Sequence, residues 1–185
     1  MTNRARLAAR TTQRIADATE ALLAGGVLEA VTLQAIAREA GVTVQTVLRH
    51  MGSRAGCLRT VAEGVEARVR RQREASVPGD VAGAIADLPA HYETDGRLML
   101  NLLAREGRGD PFAVEAAGRG RAYHRAWVER CFGPRLPDRS DASVDALVAA
   151  TDLYAWKLLR LDLGRSPGEV EAVIVRLVDA VLEDA

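Results

Sequence analysis

Gln45, Thr46, Arg49 and His50 lie in the stretch VQTVLRHM, where Val47 and Met51 recur at a helical interval. That spacing turns the two apolar side chains inward and leaves the four polar ones largely outward. Glutamine pairs bidentately with adenine and arginine with guanine, and threonine meets a base edge or a thymine methyl. The outward face therefore holds the vocabulary of major-groove readout. An ordinary solvated helix face would carry similar residues, so the elements that present this one matter.

Those elements read as two short helices joined by Ala40-Gly41-Val42-Thr43. Thr32 is placed to cap a second helix carrying Leu33, Ile36 and Ala37. Thr43 caps a third that ends near Met51, and Ser53 caps a fourth in which Leu58, Val61, Val65 and Val69 recur every three or four residues. A first helix is expected from about Thr12 to Ala24, burying Ile15, Ala18 and Leu22 and stopped by Gly25-Gly26. A glycine turn followed by a polar cap is what a helix-turn-helix requires, although helical hairpins with such turns also occur without DNA.

The wording of this segment, VTLQAIAREAGVTVQTVLRHMGSRAGCL, resembles the N-terminal signature of the TetR/AcrR family of transcriptional regulators. Ile36-Ala37, Ala40-Gly41-Val42-Thr43, Thr46-Val47, His50, Ser53 and Leu58 fall in register with it, over roughly Ile15 to Val65. The resemblance implies that Thr32, Thr43, Ser53 and Arg54 position the DNA backbone, while Gln45, Thr46, Arg49 and His50 read bases. A competing role for His50 is to hold the turn before the fourth helix by a hydrogen bond. Leu48 stands where the family usually carries a phosphate-contacting tyrosine, and Arg54 replaces its usual lysine while keeping the charge at a helix start.

Charge distribution agrees with an anionic partner. The 185 residues have no formal net charge, yet residues 1–73 hold twelve arginines against six acids, a net of +6, and the remainder balances it at −6. Arg4, Arg6 and Arg10 precede the expected first helix, as a solvated tail or as an arm for a narrow minor groove. With 48% apolar and 27% charged residues the composition is that of a globular chain. No long uncharged apolar run suggests a membrane span or secretory signal, and a cytoplasmic location is expected. Cys57 and Cys131 have no metal or disulfide spacing and read as small packing residues.

Three-to-four-residue apolar spacing continues throughout, giving an all-α expectation of about nine helices. Residues 1–55 are read as the helix-turn-helix domain, the fourth helix (54–76) as the connection, and residues 77–185 as a regulatory and dimerisation domain. Beyond Pro78-Gly79, helices are expected from Asp80 to Glu93 with a bend at Pro89, from Arg97 to Glu106 after a turn at Asp95-Gly96, and from Pro111 to Phe132. A loop through Arg139 leads to a helix from Ser140 to Leu163. Ser166-Pro167-Gly168-Glu169 is a capping box that opens the last one.

The last two helices carry wide apolar stripes, built on Leu147, Val148, Thr151, Ala155 and Leu158 and on Val170, Ile174, Leu177 and Val181. Either they form a broad internal core or, as the resemblance implies, they pair with their copies in a homodimer, with Leu147, Thr151, Leu158, Val170, Ile174, Leu177 and Val181 at the interface. The resemblance also implies an apolar chamber for a small-molecule effector. His91, Tyr92, Met99, Leu103, Tyr123, Trp127 and Trp156 are the candidate lining residues, with His91 and His124 as polar anchors or satisfied core groups. Effector binding would shift the population toward a geometry with badly spaced reading heads. No HExxH, GxSxG, phosphate-cradling loop or metal spacing occurs, so no enzyme activity, metal or cofactor is expected. The expected function is that of a sequence-specific, ligand-responsive regulator, probing a palindromic double-stranded operator as a repressor. The alternative is a helical ligand-binding or scaffolding protein without specific operator recognition.

Overall fold

The computed structural model describes residues 3–25, 30–138 and 140–184, so Gly26 and Arg139 lie outside the described residues. Among the described residues there is no strand. The elements are α1 (Asn3–Gly25), α2 (Leu33–Glu39), α3 (Val44–Met51), α4 (Arg54–Glu74), α5 (Val81–Glu106), α6 (Pro111–Phe132), α7 (Asp141–Ala150), α8 (Leu153–Trp156) and α9 (Pro167–Asp184). A π-helical turn, Lys157–Asp162, extends α8.

Local chemistry sets most of the starts. Thr32, Thr43, Ser53, Asp80, Asp110, Ser140 and Asp152 each accept a backbone N–H of the helix they open. Ser166 and Glu169 form the reciprocal bonds of a capping box, with the Ser166 N–H donating to Glu169 Oε2 at 2.8 Å.

Three boundaries differ from the sequence expectation. First, α1 begins at Asn3, so Arg4, Arg6 and Arg10 are exposed residues of a helix rather than a tail or arm before it. Second, α5 runs unbroken through Pro89 and through Asp95-Gly96. Its reason is tertiary. A Cβ at Gly96 would stand 2.7 Å from the Trp156 ring, so the missing side chain makes room for an indole of a distant helix. Asp95 is likewise buried, accepting from Arg68 Nη2 at 2.7 Å. Third, the expected helix from Ser140 to Leu163 breaks at Thr151-Asp152. The Thr151 hydroxyl donates back to the Leu147 carbonyl at 2.7 Å and Asp152 caps a fresh start through the Tyr154 N–H.

Two apolar clusters organise these helices. One gathers Ile15, Leu23, Val31, Ile36, Val47, Cys57, Leu58, Val61, Val65 and Val69 from α1 to α4. The other gathers Ile85, Leu88, Tyr92, Trp127, Phe132, Leu147, Trp156, Val170 and Ile174 from α5 to α9. Helix α4 belongs to the first cluster along most of its length, and Arg73 near its end reaches the second, with its guanidinium 4.6 Å from the Trp127 ring centroid.

Candidate DNA-binding face and ligand cavity

Helices α2 and α3 are locked in their turn by glycine and by two arginines. Gly41 adopts φ +62°, a left-handed conformation that other residues rarely take. Arg14 of α1 donates to the carbonyls of Ala40 and Gly41, satisfying acceptors at the end of α2 where a positive charge is favourable. Arg54 Nε donates to the Val31 carbonyl, tying the start of α4 to the entry of α2.

On α3, Val47 is fully buried and Met51 half-buried, as the inward stripe requires. Gln45 and Arg49 are exposed, while Thr46, Leu48 and His50 are half-buried. The Thr46 hydroxyl is 3.0 Å from that of Thr43, whose Oγ1 accepts the Thr46 N–H at 3.2 Å. His50 Nδ1 lies 2.9 Å from Thr12 Oγ1. Because that hydroxyl donates to the Ala8 carbonyl, its lone pair faces the ring and Nδ1 is the donor. His50 therefore braces α3 against α1 and keeps Nε2 for other contacts. Thr32 and Ser53 stand exposed at the starts of α2 and α4. Neither Arg14 nor Thr12 was legible as part of this face, since each acts through a partner at least 26 positions away.

A cavity of about 180 Å³ lies between α1, α4, α5 and α6 and is also bordered by Asp152 and Leu153. Of the candidate lining residues, His91, Tyr92, Met99, Leu103 and Tyr123 border it. Trp127 and Trp156 do not. Trp127 packs edge-on against Phe132 at 5.5 Å, and Trp156 is spent filling the space over Gly96, its Nε1 donating to Glu93 at 3.2 Å.

Arg73, a buried polar residue bordering the cavity, was not among the residues the sequence singled out. This side chain is 4% exposed. Its Nη1 lies 2.7 Å from His124 Nδ1, and Nη2 reaches the Tyr92 hydroxyl at 3.5 Å. The ring of His124 is neutral, because burial first and the Arg73 charge second lower its pKa to about 3. Thr151 Oγ1, 3.1 Å from Nε2, spends its own proton on Leu147, so Nε2 carries the ring proton and Nδ1 accepts from Arg73. Burial likewise raises the Tyr92 phenol, which donates to the Thr151 carbonyl at 2.9 Å. The readable signal was register: Arg73 continues the stripe Val61, Val65, Val69 at intervals of four.

The candidate dimer residues divide. Leu147, Thr151, Val170 and Ile174 are 0% exposed within this single chain, so its own core already uses them and they are corrected from interface to core. Leu158 and Leu177 are 52% and 45% exposed, and Val181 is half-buried. Cys57 and Cys131 are buried free thiols. Among the described residues no helix is long and apolar enough to cross a membrane, and no cluster of His, Cys, Asp and Glu could hold a metal ion.

Residues 15–61 match the family model described as bacterial regulatory proteins, tetR family. The match spans α2, α3, the second half of α1 from Ile15 and the first turns of α4. Comparison with curated proteins and with solved structures gave no match.

Proposed function

We propose, from the premise that this chain is a DNA-binding transcriptional regulator of the tetR family, that it acts as a homodimer on a palindromic operator and releases it when a small molecule occupies the cavity. The observation that carries the DNA-reading part is the exposure of Gln45 and Arg49 on a helix whose opposite side is buried at Val47. Thr46 and His50 complete the base-reading set, and Thr32, Thr43, Ser53 and Arg54 position the backbone. The caps at Thr32, Thr43 and Ser53 support this role, since each opens a helix, and a helix start favours a phosphate. Arg54 contributes by holding α2 against α4.

Dimerisation is supported by two of the apolar side chains that the protomer leaves exposed, Leu158 and Leu177, which lie on the π-helical turn after α8 and on α9. Ligand response is supported by position: the cavity is lined by Leu23, Leu58 and Val61 of the DNA-reading unit's core and by Tyr92, Met99 and Leu103 of the other cluster or packed against it. An occupant preferring one arrangement of α4 would therefore bias the reading heads. Repression is the direction in which such a device acts when it blocks transcription until the ligand arrives, and the nucleoid-bearing cytoplasm is where it would work. No catalytic role is assigned to any residue.

Binding to duplex DNA over a salt series tests the reading. Affinity should fall steeply with salt, with a log-log slope near −0.9 for each phosphate neutralised, and should survive excess bulk competitor on a preferred sequence. A shallow slope together with full loss to competitor would sink it.

A further inference from the structure

We propose that the cavity is a binding site for an apolar monocarboxylic acid, with the carboxylate seated on Arg73; the inference rests on the ligand-responsive reading above and names the chemical class of its effector.

Four observations converge on it. Arg73 is nine-tenths buried and borders the cavity, yet among the described residues no carboxylate is in ion-pair contact with it. Its polar partners, His124 and Tyr92, are both neutral, and the face of Trp127 supplies the only other attraction described. Second, Arg73 Nε is buried without a hydrogen-bond partner. An arginine remains charged at any working pH, and a buried charge left uncompensated is costly, so a resident arginine in this state marks a place for an anion. Third, His91, 3% exposed and also on the cavity, keeps Nε2 buried without a partner while Nδ1 faces the Asp95 carboxylate at 3.6 Å. With Nδ1 turned to the carboxylate as donor, Nε2 is a buried acceptor, so a second polar residue on the cavity also lacks its full set of partners. Fourth, the rest of the lining includes Val69, Leu98, Met99, Leu103 and Phe112, a wall for a hydrocarbon body.

The other charged groups on the cavity are already committed. Arg105 pairs with Asp110, Arg119 with Glu115 and Glu66, and Arg121 with Glu106. Glu66 also pairs with Arg70, and Asp152 accepts the Tyr154 N–H. What stays uncompensated is a single positive charge whose Nε still lacks an acceptor, and one carboxylate supplies both the opposite charge and that acceptor. A phosphate would bring a second charge without a second free cation to meet it.

The test uses the full-length protein and a panel of hexanoate, octanoate, decanoate and phenylacetate, each against its neutral alcohol and its amine. Binding is read by thermal shift and by tryptophan fluorescence, since Trp127 lies under Arg73. At least one acid should bind more tightly than its alcohol by about tenfold or more, the amine should be excluded, and Arg73→Gln should abolish the preference while Arg73→Lys keeps part of it. Equal binding of acid and alcohol, retention of the preference in a folded Arg73→Gln protein, or no binding by any acid would overturn the proposal. If Arg73→Gln does not fold, the wild-type contrast among acid, alcohol and amine decides. Operator affinity measured in parallel separates the two readings: an acid that binds through Arg73 without altering DNA affinity leaves the site standing and removes the ligand-response reading, whereas release by an alcohol as readily as by its acid does the reverse.

Discussion

Arg73 and His124, 51 residues apart on α4 and α6, meet at 2.7 Å in the interior, and the arginine donates to an imidazole that stays neutral. Beyond them Thr151 and Tyr92 carry the same hydrogen-bond network to the break between α7 and α8. The helix that begins at the proposed DNA face thus ends in a polar network belonging to the other core.

The network predicts a pH dependence. His124 titrates near its ordinary 6.5 when unfolded and at about 3 when folded. Between those values the unfolded chain binds a proton that the native one does not, so stability falls as pH drops from 6.5 toward 3. The slope from this group is about 1.4 kcal/mol per pH unit. Urea unfolding across that window should show a shallower decline in His124→Gln than in the wild type; equal slopes would show that His124 is protonated in the fold.

Gly96 predicts a substitution that runs against helix propensity. Alanine in mid-helix gains about 1 kcal/mol over glycine, but its Cβ would meet the Trp156 ring at 2.7 Å. Overpacking of about 1–3 kcal/mol should win, so Gly96→Ala is expected to lower stability. A rise in the urea midpoint would mean that the indole moves aside freely.

Much of the DNA-reading unit was legible because its determinants are local. The hydroxyls of Thr32, Thr43 and Ser53 cap helices a few atoms away, and Gly41 sits in the turn that needs it. The α5–α9 half was less so. Asp95-Gly96 looks like a turn until Trp156, sixty positions on, is placed against it. Arg73 stands in a run with Arg70 and Arg71 that composition alone assigns to solvent, and only its register with Val65 and Val69 sets it apart. The stripes on the last helices gave the burial but not the side: Leu147 and Ile174 face this chain's own core, Leu158 and Leu177 do not.

That division predicts where the proposed dimer is weakest. Replacing both Leu158 and Leu177 by Glu adds charge to exposed apolar positions without touching the core. Sedimentation should show a shift from dimer to monomer with helical circular dichroism unchanged. A wild-type protein that is monomeric at every concentration would remove the dimer from the account.

Two arginines separate reading from positioning. Arg49 is exposed on α3, and Arg49→Ala should cost about 1–3 kcal/mol on the preferred site and relax choice at one base position. Arg54 holds the Val31 carbonyl, so Arg54→Ala should weaken all sequences alike. Competition binding with single-base operator variants distinguishes them, and the reverse pattern would reassign both.

The most direct measurement is selection of bound duplexes from a random DNA pool at moderate salt with bulk competitor. The account predicts enrichment of a palindrome whose half-sites suit two copies of α3 in successive major grooves. Binding that remains weak and enriches no sequence would contradict it.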